Sequence, residues 1–556
     1  MPVKPYISLG GVLKFEFKVA GTKNELASLL KEASISFELN KIPSAKFWFV
    51  ASNTDINSKS NLLASDLLKE NEDIEFIIDA DNSKETLFKG KIKSVEKTYT
   101  DNAITSKIEC KDAAFSMTFN SQEAETNDET FDDKLKTFTK GLEVDSELYG
   151  KPWGEEIMTY NVSVIPWDFI LSYLDSIGIL LSVRNGKLTG INYCESPSAE
   201  KYTAENGINV FSFSGKKDES KKIKKASIEV WDPSSQSLNK IESEQDAPNE
   251  NIKTIRLNDN NFKEETVNLM TDAILKKSKH TVLSGKVSTF GNIEASIGDY
   301  IVLNKVNDVI DGEKILISGE LHTIENGCWR TEYTFGLESA ETFANNVKVN
   351  NSASQTQTGQ TNMINGLLIG VVLQIEEDPK GEFRIKVRIP ALSENGAGVW
   401  ARLATLNASA DMGSFFIPNV DDEVIVGCLG GNPDTPIILG SLYSSAKTPP
   451  YEIQKENFIK AFVTKEGTKL EFDDEKKQIE LSTKIGNKIF ISDEEKGIIL
   501  EDENKNKITM NGDGIHIESS KDITFKASGD IKIETVNYKL NASGNTELKG
   551  ATIKLN

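Results

Sequence analysis

Apolar residues recur in pairs at positions i and i+2 along residues 470–555. The pairs begin seven or eight residues apart after Ile508 and nine or ten residues apart before it. This alternation predicts short β-strands that direct two apolar side chains to one side, with turns rich in Gly, Asp, Asn and Ser between them. The upstream pairs are Leu470/Phe472, Ile479/Leu481, Ile489/Ile491 and Ile498/Leu500. The predicted inward residues downstream are Ile508, Met510, Ile515, Ile517, Ile523, Phe525, Ile531, Ile533, Tyr538, Leu540 and Leu548, and Ile553/Leu555 form the last pair.

A strand and turn of seven or eight residues give too few inward side chains for one chain to close a coil around a core. Three copies that each form one wall of a triangular tube are the simplest closed arrangement, and cyclic symmetry is usual in homo-oligomers. Closure also removes exposed sheet edges. The alternative is an antiparallel meander within one chain, which predicts unequal strands and less even spacing. The regular spacing favours the trimeric tube.

The pattern before residue 345 is mixed. One amphipathic helix is predicted in PWDFILSYLDSIG, because Pro166 suits a first helical position and Gly178 a C-terminal cap. Phe169, Ile170 and Tyr173 fall on one face of this helix, as do the residues one turn further on. Alternating runs predict strands at residues 12–19, 34–39, 46–50, 74–79 and 104–110.

Two changes of composition predict domain boundaries. Residues 350–362 (NNSASQTQTGQTN) contain no charge and no large apolar side chain, which is typical of a linker. A second connector contains Pro449 and Pro450, and no proline follows it. We therefore expect a mixed region over residues 1–345, a linker over 346–365, a compact β domain over 366–446, a connector over 447–461 and the repeats over 462–556.

The charge balance narrows the classes of partner. The 556 residues contain 64 Lys and Arg and 85 Asp and Glu, a formal net charge of −21. General binding to nucleic acid or to anionic membranes needs clustered positive charge, so both are disfavoured. No apolar run approaches the length of a membrane span, and the N-terminus lacks the pattern of a secretory signal. We therefore expect no signal peptide.

Residues for catalysis or cofactor binding are not clustered in the sequence. The three histidines, His280, His322 and His516, are far apart, and no phosphate-binding loop occurs. The four cysteines are each more than 80 residues from the next, which indicates free thiols rather than a zinc or redox motif. We expect no enzyme activity, no cofactor, no metal site and no catalytic residue.

The segment from GVVLQIEEDPKGEFRIKVRIP to GSFFIPNVDDEVIVGCLGGNPDTPIILGSL resembles the OB-fold domain of VgrG proteins and contractile-phage spikes. The tail that follows is similar to the needle of that family, and residues 1–345 more weakly resemble its hub. The matching OB-fold residues are Gly370, Val371, Asp378, Pro379, Gly381, Arg384, Val387, Pro390, Trp400, Arg402, Pro418, Asp422, Glu423, Val424, Val426, Pro433, Pro436, Gly440 and Leu442.

The resemblance implies a mainly β fold with some α structure. It consists of a hub of β-barrel-like domains with helices, an OB-fold β-barrel as a collar, and a C-terminal intertwined trimeric triangular β-helix. The implied function is that of a homotrimeric spike that matches its threefold symmetry to a hexameric inner tube and pierces a target envelope when a sheath contracts. A type VI secretion system, an extracellular phage-tail-like particle and a phage all use such a spike.

The implied partners are further copies of the chain, the inner-tube protein, baseplate proteins, a PAAR-repeat tip protein and, transiently, the target membrane. The implied destination is the extracellular space or the target cell. We expect the tip protein to dock on Gly550, Ala551, Thr552, Ile553, Lys554, Leu555 and Asn556. Two alternatives are a delivered cell-wall-degrading effector, for which no inserted domain is found, and an OB-type nucleic-acid binder. The second is opposed by 5 Lys and Arg against 10 Asp and Glu over residues 366–446.

Overall fold

The computed structural model describes residues 14–52, 63, 67–80, 83–119, 122–123, 129–155, 163–195, 200–257, 263–307, 310–325, 327–339, 364, 366–392, 396–433 and 435–554. The chain divides into two units, Met1–Leu442 and Tyr443–Asn556. The predicted linker over residues 346–365 lies outside the described residues, apart from Ile364.

The first 345 residues contain three α-helices and 21 strands among the residues described. The helices are α1 (Phe131–Phe138), α2 (Pro166–Ser176) and α3 (Glu264–His280). The strands are β1 (Lys14–Val19), β2 (Thr22–Asn24), β3 (Leu30–Glu38), β4 (Ser44–Ser52), β5 (Asp73–Ala80), β6 (Ser83–Tyr99), β7 (Ala103–Lys111), β8 (Gln122–Glu123), β9 (Glu143–Val144), β10 (Ser163–Val164), β11 (Ile179–Arg184), β12 (Lys187–Asn192), β13 (Tyr202–Glu205), β14 (Val210–Lys217), β15 (Lys225–Asp232), β16 (Ser237–Glu244), β17 (Ile252–Leu257), β18 (Leu283–Phe290), β19 (Tyr300–Asn304), β20 (Lys314–Glu325) and β21 (Cys328–Phe335).

A thirteen-stranded sheet dominates this region, in the order β14-β18-β21-β20-β3-β4-β7-β6-β5-β1-β2, with β19 pairing both β13 and β20. Side chains alternate between buried and exposed along β3 and β4, as strands with one face on a core require. Rings of Phe17, Phe47, Phe49 and Phe76 pack against one another in that core. The five strands predicted from alternation are all present, with ends shifted by a few residues.

A second core surrounds the helices and the small sheets β11-β12-β9 and β16-β15-β17. Helix α2 begins at Pro166 and Gly178 follows it with a φ of 93°, so the predicted helix and its boundary residues are confirmed. Every side chain of α2 except that of Asp168 is buried. Lys277 of α3 contacts both carboxylate oxygens of Asp175 at 2.7 Å, and this buried ion pair joins α3 to α2.

The end of the first unit is a closed five-stranded barrel, in the order β22-β23-β24-β28-β27. Its elements are β22 (Leu367–Gln374), β23 (Ile385–Arg388), β24 (Val399–Leu403), the two short strands β25 (Ala408–Ser409) and β26 (Met412–Gly413), β27 (Glu423–Cys428) and β28 (Pro436–Ser441). Val372, Val387, Val424, Val426 and Ile438 fill its core. This barrel confirms the predicted OB-type domain.

The second unit contains a seven-stranded sheet in which each strand pairs with the next. The strands are β29 (Ile459–Val463), β30 (Lys469–Asp473), β31 (Gln478–Ser482), β32 (Lys488–Ser492), β33 (Gly497–Glu501), β34 (Lys507–Asn511) and β35 (Gly514–Glu518). All neighbouring pairs are antiparallel, and each strand has five residues. The sheet is therefore a regular meander within one chain.

Candidate assembly interface

The meander has one apolar face, because its register places apolar residues directly opposite one another across successive strands. Phe472 faces Ile479, which faces Ile491 on the next strand, and Ile491 faces Ile498. The same register continues to β35, where Ile517 faces Ile508. Directly opposed apolar side chains stabilise a sheet. Two continuous apolar rows therefore cross all the strands from β30 to β35, and we call this surface the apolar face.

The opposite face of the meander carries several charged side chains that pair within the same chain, together with Phe490 and Ile499. The Lys469 ammonium lies 2.8 Å from the Glu471 carboxylate and 3.3 Å from that of Glu480. Tyr451 donates a 2.5 Å hydrogen bond to Glu471, and Lys488 lies 3.3 Å from Glu501 on the same face. This face satisfies its polar groups without another chain.

The hydrogen bonds among these side chains also shift their pKa values. Burial alone would lower the pKa of Lys469, but its hydrogen bonds to Glu471 and Glu480 raise it above the usual value. Burial would raise the pKa of Glu471, but its hydrogen bonds with Lys469 and Tyr451 hold it below the usual value. Both groups are therefore held in their charged forms, although Glu471 is buried.

The apolar face, by contrast, is left open by the chain that carries it. Most Ile and Leu residues on this face from β31 to β35 are exposed, with exposed fractions that range from 36% at Ile498 to 69% at Ile515. Leu500 and Ile508 are half-buried. A trough of about 740 Å³ runs along it, lined by Leu481, Ile489 and Leu500 among others. Soluble proteins rarely expose a contiguous apolar surface of this kind unless it is an interaction site.

Residues 519–554 contain no strand in the chain as described, although their apolar pairs keep the strand pattern. Their large apolar side chains are exposed, from 48% at Ile523 to 97% at Val536. A strand needs a hydrogen-bonding neighbour, and residues 519–554 pair with no other segment of their own chain as described. We therefore interpret this stretch as strands whose partners belong to other copies.

The predicted core residues fall into two groups. Ile508, Met510, Ile515 and Ile517 lie together on the apolar face of β34 and β35. The others are exposed and lie outside the meander: Ile523, Phe525, Ile531, Ile533, Tyr538, Leu540 and Leu548. Burial in a trimer core stays a prediction for all eleven.

The predicted tip surface is described only in part. Residues 550–554 are exposed and outside any strand, whereas Leu555 and Asn556 lie outside the described residues. Docking of a tip protein on Gly550, Ala551, Thr552, Ile553 and Lys554 stays a prediction.

The sequence interpretation missed the point where pairing within the chain ends. Residues 459–518 adopt the antiparallel meander that was the alternative on the sequence, although its strands are even rather than unequal. Spacing alone does not mark that point, because β34 and β35 carry pairs only seven residues apart and still pair across a two-residue turn at residues 512–513.

One charged cluster is buried in the thirteen-stranded sheet. The Glu320 carboxylate lies 2.7 Å from Nε2 of His322 and 2.5 Å from Nη2 of Arg184. Burial would raise the pKa of Glu320, but the Arg184 guanidinium and the hydrogen bond with the His322 ring hold it below its usual value. Trp329 donates a hydrogen bond to Nδ1 of His322. The cluster joins β20 to β11. Because its residues are far apart in sequence, no local pattern predicts it.

No helix in the described part of the chain is long and apolar enough to cross a membrane. Nor do three or more His, Cys, Asp or Glu side chains gather there in an arrangement that could hold a metal ion.

Three family models match the chain. The Alg8 N-terminal domain matches residues 10–326, the type VI secretion system/phage-baseplate injector OB domain matches 368–443, and the phage baseplate V C-terminal trimerisation domain matches 478–556. The barrel lies within the second match, and most of the apolar face and all of residues 519–554 lie within the third. Together with the fold, these matches define a baseplate-injector protein.

Curated relatives match over a short segment. The type VI secretion system spike protein VgrG1a of Pseudomonas aeruginosa is 35% identical over 85 residues, which are 15% of this chain and 13% of that protein. VgrG3 of Vibrio cholerae is 40% identical over 74 residues, 13% of this chain and 7% of that protein. The chain thus matches only a small share of these relatives' lengths.

A solved Francisella PdpA–VgrG complex in its half-lidded form is similar over 92% of this chain and 89% of that chain, with a TM-score of 0.54 and 11% identity. At that identity the likeness supports the fold. The chain belongs to the VgrG and contractile-phage spike family, with an N-terminal region of the Alg8 type.

Proposed function

We propose that this protein is the homotrimeric central spike and hub of a contractile injection machine. The observation that carries the proposal is the apolar face, which continues as an exposed apolar row through residues 519–554 and lies mostly within the match to a trimerisation domain. Three copies that cover one another's apolar rows would bury this surface and close the open strand edges.

The remaining parts of the chain follow from this arrangement. Residues 1–345 form the hub and adapt the threefold spike to a hexameric inner tube, held by baseplate proteins. The barrel forms a collar, and residues 462–556 form the needle, which enters the target membrane when the sheath contracts. A PAAR-repeat protein caps the needle on residues 550–556. Assembly takes place in the bacterial cytoplasm, and the needle leaves with the particle.

The proposed role is mechanical rather than enzymatic. A spike driven by a sheath needs a stiff, closed rod and no reaction of its own. The resemblance of the chain to spike proteins, together with the uncovered apolar rows, supports the mechanical role.

Electron cryo-microscopy of injection particles isolated from a producing strain tests the proposal. We expect three copies of the chain on the particle axis at the end of the inner tube, with residues 519–554 forming a threefold prism. A strain that lacks the chain is the matched control and should yield particles without axial density. Particles that assemble and inject in that control strain would contradict the proposal.

A further inference from the structure

Residues 404–420 connect β24 to β27 and contain almost no charge, and we call this segment the arm. Asp411 is its single charged residue. Leu406 is 92% exposed and Phe415 is 87% exposed, and Met412 between them is also exposed. At least three large apolar side chains of the arm are therefore exposed to solvent.

The arm is held in this conformation by its own backbone. The amide of Ser414 donates a 2.9 Å hydrogen bond to the Asn407 carbonyl, and the hydroxyls of Thr405 and Ser414 share a 2.5 Å hydrogen bond. Gly413 between them has a φ of 149°, and a Cβ there would lie 2.4 Å from the Asn407 carbonyl oxygen. Phe415 thus follows a fixed turn, and its exposure is built into the fold.

The barrel carries a second apolar surface on its outer side, and we call it the wall: Leu367, Ile369, Ile425, Ile437 and Leu439. The register places Leu367 opposite Gly427 and Gly427 opposite Ile437. A Cβ at Gly427 would lie 3.4 Å from Leu367 and 3.8 Å from both Ile437 and Leu439, so these side chains surround a shallow depression above the glycine. Leu367 and Leu439 are exposed.

We propose that the arm of one copy packs against the wall of the next copy around the threefold axis, with the Phe415 ring lying over Leu367 and Leu439 beside Gly427. This inference rests on the proposed trimer. In a cyclic trimer each subunit contacts its neighbours through two different surfaces, and the barrel carries two apolar surfaces that do not cover each other within one chain.

Two observations favour another copy of the chain as the occupant. The barrel is joined through residues 443–458 to the unit that contains the trimerisation match, so trimerisation holds three barrels at a high effective concentration. Neither surface carries a cluster of charge, which disfavours a charged partner such as nucleic acid or an anionic membrane. Apolar surfaces of this kind associate by excluding water.

Cysteine cross-linking of the full chain tests the inference. Phe415→Cys and Leu439→Cys are combined in a Cys328→Ser/Cys428→Ser background, which removes the exposed native thiol and the partly exposed one beside Gly427. Treatment of the assembled protein with a short bis-maleimide should give covalent dimers and trimers on a denaturing gel. Either cysteine alone should give none, and neither should Phe415→Cys combined with Tyr99→Cys, an exposed position on β6.

The outcomes separate the inference from the proposed function. A trimer by light scattering that does not cross-link would overturn the inference and leave the spike intact. Covalent dimers from Phe415→Cys alone would show arm-to-arm contact and also overturn it. A monomer would overturn both. As a second readout, alkylation of Leu439→Cys should be several-fold faster when Phe415→Ser removes the covering ring, and an unchanged rate would count against the contact.

Discussion

Aspartate at Ile531 and Ile533 should prevent the spike from assembling. Both side chains belong to the exposed row, and the single chain leaves 58% of Ile531 and 66% of Ile533 open to solvent. In the proposed trimer this surface is buried by the other two copies. The double change would place six carboxylates, two from each chain, in a closed apolar interior.

The size of the effect follows from the exposed fractions. Burying a whole Ile side chain contributes roughly 1.5–3 kcal/mol, so covering the remaining surface of each residue contributes about 1–2 kcal/mol. Over six side chains the lost burial amounts to about 5–11 kcal/mol per trimer. Unpaired carboxylates in a dry interior add a further desolvation cost.

Light scattering and a thermal melt measure the outcome. We expect the Ile531→Asp/Ile533→Asp variant to remain folded in the unit Met1–Leu442 but to lose the trimer. The matched control is Asp at Lys532 and Glu534, which alternate with the two isoleucines and should therefore face solvent. If the two variants melt alike and both stay trimeric, the assignment of inward and outward positions is wrong.

Three further outcomes are expected. Deletion of residues 546–556 should leave a trimer but abolish capture of a PAAR-repeat protein in a pull-down, and continued capture would place the cap elsewhere. Lys277→Met leaves Asp175 buried without its charge partner and should lower the free energy of unfolding by about 3–5 kcal/mol in a denaturant titration, whereas loss of an exposed pair should cost under 1 kcal/mol. Cys328 is exposed and should react with a maleimide in the native protein, while Cys194, whose pKa burial raises to about 12, should react only after unfolding.

Local patterns predicted the elements that depend on local chemistry. Pro166, Gly178 and the apolar spacing between them fixed helix α2, because caps and one-sided burial act within a few turns. The alternation of apolar residues likewise identified β3 and β4, whose inner side chains are buried. The OB-type barrel followed from a resemblance spread over many residues.

Long-range features could not be predicted in the same way. The ion pair between Asp175 and Lys277 and the cluster around Glu320 join residues that are far apart in sequence, and no periodicity marks them. The spacing of the apolar pairs predicts strands shared between copies along the whole tail, and this prediction includes the segment that forms the meander. Residues 459–518 pair within their own chain, including β34 and β35, which are joined by only two residues.

The mass of the assembled protein tests the central claim most directly. Sedimentation equilibrium of the purified full chain at micromolar concentration gives that mass without assumptions about shape. The chain mass is 61.4 kDa, and we expect a single species of three times this value that persists on dilution. A folded monomer of 61.4 kDa, with the apolar face and the row beyond it stable in water, would contradict the account.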